Sequence, residues 1–173
     1  KKFPGIKTAD MNLFDVADND EFHPTPFNPD KSCLMMYTSG STGFPKCVEL
    51  SFSNLFESAK SSDFYIKHNN DDTWLVSLPV HHIGGLSILT RSLITGCSII
   101  IPTSLNSIDL INSIQSYEPT LLSCVPLMMK RLIDDFSIPW KNLRHLFLGG
   151  GPVPDEIVLN ALENDWPVSV VYG

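Results

Sequence analysis

Residues Cys97–Pro126, CSIIIPTSLNSIDLINSIQSYEPTLLSCVP, decide the fold class. CSIIIP is a short apolar run rich in β-branched residues, and Pro102 stops it, which reads as a strand. Ser107 opens a helix that runs to Tyr117. Pro119 marks its end, because proline has no N–H to donate and cannot continue a helix. TLLSCVP is then a second strand. Two strands joined by a helix are expected to run parallel within one sheet.

The same rhythm extends in both directions. TWLVSLP is a strand ending at Pro79, and Leu86 to Ile94 reads as a helix. Leu127 to Phe136 is a helix, LRHLFLG a strand, Pro154 to about Asn164 a helix, and VSVVYG the last strand. Alternation with short connections predicts an α/β fold, a mostly parallel sheet with helices on both faces. Such sheets collect ligands at the carboxyl ends of their strands. The segments expected there are Pro79 to Gly85, Gly149 to Pro152, and Tyr172 to Gly173.

Upstream, SCLMMYT suits a buried strand, and CVELS is a second strand after the loop SGSTGFPK. Ser53 is placed to cap a helix from Asn54 to about Lys67, with Leu55, Ala59 and Phe64 as buried candidates. Residues 1–30 hold Pro4, Pro24, Pro26 and Pro29 and read as a loosely structured lead-in with one short strand. The expected organisation is therefore a lead-in over 1–30 and an α/β domain over 31–173, cut from a longer chain. The 173 residues suffice for one domain with a real core, and not for two large ones.

The formal net charge is -7, from 12 basic and 19 acidic residues. That balance argues against a nucleic-acid or anionic-membrane surface, which needs clustered Lys and Arg. No apolar run approaches the roughly 20 residues that span a bilayer. The first residues, KKFPGIKTAD, lack the apolar core of a signal peptide. Cys33, Cys47, Cys97 and Cys124 form no CxxC pair and have no His at ligand spacing, so they read as reduced core thiols of a cytoplasmic protein. The oligomeric state is left open, a homo-oligomer included.

The chemistry concentrates in TSGSTGFPK. Gly40 and Gly43 let the backbone turn sharply and approach a ligand. Thr38, Ser39, Ser41 and Thr42 offer hydroxyl donors, successive N–H groups can form an anion nest, and Lys46 adds a positive charge at the far end. This arrangement suits a polyphosphate. It is not a Walker loop, which needs Gly before the Lys and Ser or Thr after it; here the neighbours are Pro45 and Cys47, and a strand follows. Composition alone also fits a solvated Ser/Gly linker. The position between two apolar strands favours the phosphate reading.

YTSGSTGFPK, Tyr37 to Lys46, resembles the signature of the adenylate-forming superfamily. That group includes acyl-CoA synthetases, firefly-type luciferases and adenylation domains of peptide synthetases. The resemblance implies that Thr38, Ser39, Gly40, Ser41, Thr42, Gly43 and Lys46 wrap the ATP phosphates and close during adenylation. SLPVHHIGGLS resembles the second family motif, with His82 in the position of the family His and His81 in place of the usual aromatic residue. That match places His82 beside the acyl carboxylate at the pantetheine channel. A His at a strand end also suits a carboxylate site on chemical grounds, against the alternative of a helix-capping or buried structural His. LGGGPVP resembles the segment lining adenine and the acyl pocket, so Gly149, Gly150, Gly151 and Pro152 are expected at the nucleotide. VVYG resembles the start of a Tyr-Gly-x-Thr-Glu motif, with Tyr172 stacked on adenine and Gly173 beside it. The Thr and the magnesium-holding Glu would follow residue 173.

Gly84, Gly85 and Ser87, together with the glycine triplet, are most similar to the o-succinylbenzoate–CoA ligases of menaquinone synthesis. They are the expected substrate-contacting residues, with His82 and Gly150. Arg91 is a candidate partner for a second substrate carboxylate, or else a solvated or ion-paired helix residue. The resemblance implies a ligase that activates a small carboxylic acid as acyl-AMP and passes it to CoA, with ATP, Mg²⁺ and CoA as cofactors. It covers residues 31–173, the middle of a family member. The ribose-binding Asp, the hinge and the small C-terminal domain with its catalytic Lys have no counterpart here, so the segment alone is expected to be inactive. The alternatives are an amino-acid or aryl-acid adenylation domain and a non-catalytic nucleotide-binding module. An amino-acid pocket would need an acid for the substrate ammonium, and none lies between Pro79 and Pro102.

Overall fold

The computed structural model describes residues 28–38 and 46–172. The expected lead-in over 1–27 and the loop residues Ser39 to Pro45 lie outside that range, as does Gly173. Strands β1 (Ser32–Thr38) and β2 (Lys46–Ser51) form an antiparallel pair with Thr38 opposite Lys46. Lys46 therefore starts a strand, as expected for a loop that is not of the Walker type. The pair is a separate two-stranded sheet. Consequently β1 is not the buried strand its apolar sequence suggested: Met35 is 67% exposed and Tyr37 60%.

Helix α1 (Phe52–Ile66) follows without a break. Its cap is Ser51, not Ser53. The Ser51 hydroxyl accepts from the Asn54 N–H at 3.2 Å, and the Asn54 side chain accepts from the Ser51 N–H at 2.9 Å. This reciprocal pair satisfies two donors at once, and Ser53 has no such partner. Instead Ser53 ties the helix start to the incoming chain, donating through its N–H to the Pro29 carbonyl and through its hydroxyl to Asp30. Ala59 is buried as expected, Leu55 is half-buried, and Phe64 is exposed.

Strand β3 (Thr73–Leu75), helix α2 (Ile83–Thr95), strand β4 (Ser98–Ile100), helix α3 (Ser107–Tyr117) and strand β5 (Leu121–Cys124) come next. Helix α4 (Pro126–Phe136), strand β6 (His145–Leu148), helix α5 (Asp155–Glu163) and strand β7 (Val168–Val170) complete the chain. The five strands β4-β3-β5-β6-β7 lie side by side and all run parallel. Helix α2 starts three residues before the expected Leu86 and takes both Gly84 and Gly85 into its first turn.

Side chains alternate across the sheet, so neighbours along a strand enter different cores. Trp74 and Leu121 join Ile66, Ile88 and Cys97 under α1 and α2. Leu75, Leu122 and Cys124 join Ile114, Met129 and Leu132 under α3 and α4 on the other face. Each fully buried side chain of this kind contributes about 2 kcal/mol. Of the cysteines, Cys97 and Cys124 are core thiols as expected, but Cys33 is half-buried and Cys47 exposed, because they lie on the two-stranded sheet. Burial pushes the Cys124 thiol up to about 12, which leaves it protonated near neutral pH.

The amino end of the sheet is closed by a polar clasp. Asp72 is wholly buried just before β3, and Arg144 donates to both of its carboxylate oxygens. The Thr120 hydroxyl and the Asn69 N–H donate to the same carboxylate at 2.8 and 2.9 Å. Arg144 also reaches the carbonyls of Ile66 and Lys67 at the end of α1. The carboxyl end carries no comparable closure among the described residues.

Candidate active site

Two turns, after β3 and β6, and the segment Val171–Tyr172 after β7 lie at the carboxyl ends of their strands. After β3 the chain folds back at Ser77, whose hydroxyl donates to the Ser123 carbonyl at 2.5 Å. Leu78 and Pro79 then lead into His81 and His82. His82 is the N-cap residue of α2: its N–H donates to the Pro79 carbonyl at 3.0 Å, and its carbonyl accepts from Leu86 at 2.9 Å. Its side chain makes no capping hydrogen bond and is exposed, so the helix-capping alternative for this imidazole does not hold. The ring lies 4.3 Å from that of His81, centre to centre, at 48°. Both imidazoles face outward at the end of β3.

Gly85 explains why the turn is so tight. A Cβ built there would stand 2.3 Å from the Pro79 carbonyl oxygen and 2.5 Å from that of Leu78. Only glycine lets the first turn of α2 press on that backbone. The contacts of Gly85 are thus with the chain itself. Gly84 has more room, with Leu78 Cδ1 3.3 Å from a built Cβ. The Ser87 hydroxyl donates back to the Gly84 carbonyl at 2.8 Å, which fixes the same turn.

After β6, Gly149 is buried beneath Val171, whose Cγ2 and carbonyl oxygen would lie 2.6 and 2.7 Å from a Cβ. Its N–H donates to the Cys124 carbonyl at 3.1 Å, and the Val171 N–H donates to Leu148 at 2.9 Å. The ends of β5, β6 and β7 are thereby drawn together. Gly150 turns the chain with φ of 79°, a left-handed conformation that favours glycine. At Gly151 a built Cβ would meet no atom within 4 Å, so the turn opens outward, and Pro152 is exposed beyond it. Tyr172 projects fully into solvent next to Val171. An open glycine turn and an exposed aromatic ring thus follow β6 and β7.

Lys46 and Thr38 sit opposite each other on β2 and β1 and so hold the two ends of Ser39–Pro45. Among the described residues no three His, Cys, Asp or Glu side chains lie together as a metal site. No helix among the described residues is long and apolar enough to cross a membrane.

Arg91 was legible only as a candidate. It lies three residues past the buried Ile88 on α2, at the edge of the inward stripe formed with Gly85 and Ser92. It is not ion-paired: among the described residues no carboxylate lies within 4 Å of it, and its Nε is buried without a hydrogen-bond partner while the side chain as a whole is half-buried. Its guanidinium lies 5.7 Å from the ring centre of Trp74. No spacing rule pointed to Trp74, because the contact crosses from strand to helix.

A family profile described as AMP-binding enzyme matches residues 4–173. The chain is 39% identical to a 2-succinylbenzoate–CoA ligase of Bacillus pumilus over 147 residues, covering 85% of this chain and 30% of the relative. It is 36% identical to the ligase of the same name from Bacillus subtilis, covering 83% of this chain and 30% of that one. Among solved structures, the o-succinylbenzoate coenzyme A synthetase of Bacillus subtilis with ATP and magnesium superposes with a TM-score of 0.82 at 33% identity, over 92% of this chain and 34% of that one. The same enzyme with its acyl-adenylate intermediate gives 0.77 at 35% identity, over 83% of this chain and 30% of that one. The chain thus spans about a third of the length of these relatives. With the profile spanning nearly the whole sequence and these relatives and structures matching most of it, the chain belongs to the AMP-binding enzyme family.

Proposed function

We propose that this chain is the nucleotide- and acid-binding part of an ATP-dependent acid–CoA ligase, with 2-succinylbenzoate as the acid and menaquinone synthesis as the setting. Residues 31–173 form part of its large domain, and residues 1–30 lead into it. The observation that carries the reading is the shared end of the sheet. His82, the Gly149–Gly150 turn and the exposed Tyr172 follow three parallel strands at their carboxyl ends.

In this reading the acid's carboxylate attacks the α-phosphorus of ATP, giving acyl-AMP and pyrophosphate. CoA thiolate then displaces AMP. Such chemistry asks for positioning and for stabilisation of phosphate charge. Thr38, Ser39, Gly40, Ser41, Thr42, Gly43 and Lys46 hold the phosphates. Gly149, Gly150, Gly151 and Pro152 form the floor for adenine, with Tyr172 and Gly173 at its side. His82 receives the reacting carboxylate, and the turn built by Gly84, Gly85 and Ser87 sets its direction. Magnesium supplies charge neutralisation on the phosphates when bound. A cytoplasmic setting, with ATP and CoA at hand, suits this work and the free thiols.

Arg91 takes the second carboxylate of the acid. It lies nine residues beyond His82 on one helix, a rise of about 13 Å, and a long Arg side chain shortens that span. An acid with carboxylates at both ends of an aryl-succinyl skeleton bridges it. That no carboxylate among the described residues pairs with it supports this role.

Titration calorimetry of this chain with ATP and with a non-hydrolysable acyl-adenylate analogue tests the binding part. Heat from the analogue is expected, and no binding of either ligand would leave only a structural role. For the full-length enzyme, pyrophosphate release is expected with 2-succinylbenzoate well above fatty, aryl or amino acids. Lys46→Ala should slow adenylation at least tenfold while sparing thioester formation from supplied acyl adenylate. Equal loss in both halves would remove Lys46 from the phosphates.

A further inference from the structure

Trp74 is wholly buried on β3, under α1 and α2. Its ring stacks on Phe147 of β6 at 5.4 Å and 29°, and packs on His68 at 5.6 Å. His68 is itself pinned, its Nδ1 2.8 Å from Asp63 Oδ1. Three polar atoms of this group are buried without a hydrogen bond: His68 Nε2, Trp74 Nε1 and Arg91 Nε. Buried polar atoms of this kind are uncommon.

The other deeply placed cation, Arg144, is surrounded by acceptors. Arg91 has none among the described residues. Burial lowers its pKa from the ordinary arginine value, yet a guanidinium keeps its charge throughout the physiological range. What faces that charge is the indole. A ring face attracts a cation through its quadrupole, most strongly where water is excluded. It does so without consuming any N–H donor, so the guanidinium is held in place while its fork stays uncommitted.

We infer that Trp74 is a positioning residue for the acid substrate: its ring, fixed by Phe147 and His68, holds the Arg91 guanidinium ready to pair with the second carboxylate of a dicarboxylic acid. The inference rests on the role given to Arg91 above. A carboxylate arriving at Arg91 replaces no existing ion pair, so the protein does not have to break a bond to accept it. Discrimination between acids with one and two carboxylates then depends on the ring as well as on the arginine.

The test uses the full-length enzyme and two acids, 2-succinylbenzoate and 4-oxo-4-phenylbutyrate, which lacks the ring carboxylate. Pyrophosphate release gives kcat and KM for both on the same preparation, so activity on the monocarboxylate reports folding. Trp74→Leu should lower the ratio of kcat/KM for the two acids about tenfold, mainly through KM for the dicarboxylate. Trp74→Phe should fall between Leu and the parent, because a smaller ring holds the cation less firmly. In an Arg91→Met background Trp74→Leu should cause no further fall. If Arg91→Met lowers the ratio and Trp74→Leu does not, the positioning role is wrong while the arginine's role stands. If Arg91→Met leaves the ratio unchanged, the second-carboxylate reading fails first and this inference with it. Should Trp74→Leu prove insoluble, an unchanged ratio in Trp74→Phe overturns the inference.

Discussion

Gly84 and Gly85 are neighbours in the first turn of α2, yet their environments differ in a way that can be measured. At Gly85 a Cβ would meet two backbone carbonyl oxygens at 2.3 and 2.5 Å, and backbone cannot move aside without reshaping the turn. At Gly84 the nearest atom is the tip of a leucine at 3.3 Å, which can rotate away. Gly85→Ala should therefore destabilise the chain by about 3 kcal/mol, by forcing the helix start off Leu78 and Pro79. Gly84→Ala should be close to neutral, since alanine's better helix propensity, up to about 1 kcal/mol, offsets the small contact. Urea midpoints of the two variants decide the matter, and equal midpoints would mean that the turn is not set by Gly85. The comparison also matters for chemistry, because the same turn aims His82. Sequence reading placed both glycines at the substrate. The structure gives Gly85 a contact with its own backbone, which no single sequence displays.

At the scale of elements, the helix caps separate what local sequence can and cannot reveal. Ser51 and Asn54 satisfy each other reciprocally at the start of α1, whereas Ser53 lies inside the first turn and bonds the chain before β1. Ser51→Ala should cost about 1 kcal/mol of stability and Ser53→Ala only a few tenths. Thermal unfolding of both variants checks this, and a larger loss for Ser53 would reverse the assignment. The misreading has a physical cause. Ser51 ends a strand and caps a helix at once, and a rule that looks for a cap after a strand passes over it. Elsewhere the alternation of short β-branched runs with helical spacings made the parallel sheet legible, because its central strands β3 and β5 are buried on two faces. That logic overreached at β1. Its apolar side chains are the same kind, but the two-stranded sheet has no helix covering Met35 and Tyr37 among the described residues. Arg91 was half legible: its helical spacing from Ile88 put it near the inward stripe, while its ring partner comes from another element.

Across the whole molecule, the sheet is closed at its amino end by the Asp72–Arg144 clasp, and this closed end makes stability depend on pH. Burial alone would push the Asp72 carboxyl up, but hydrogen bonds from Arg144, Asn69 and Thr120 outweigh it and hold the pKa below the ordinary carboxylate value. A carboxyl depressed in the folded state binds a proton more readily in the unfolded chain. Its stabilisation is therefore full above about pH 4, near the unfolded value, and is lost as pH falls through the lower, folded one. Asp63, depressed by its hydrogen bond with His68, acts in the same direction, weakly because it is half exposed. Urea unfolding of this chain between pH 7 and pH 3 should show a fall in stability at the acid end. Asp72→Asn should flatten that fall, and the parent's unaltered acid slope in this variant would contradict the clasp. Arg144→Met goes further, because it leaves a buried carboxylate with its burial no longer opposed by a cation. It should cost about 3 kcal/mol near neutral pH, and acidification should then recover part of the loss by protonating Asp72. Two variants of one ion pair thus predict slopes that differ in sign, which a general loss of packing at the amino end would not produce.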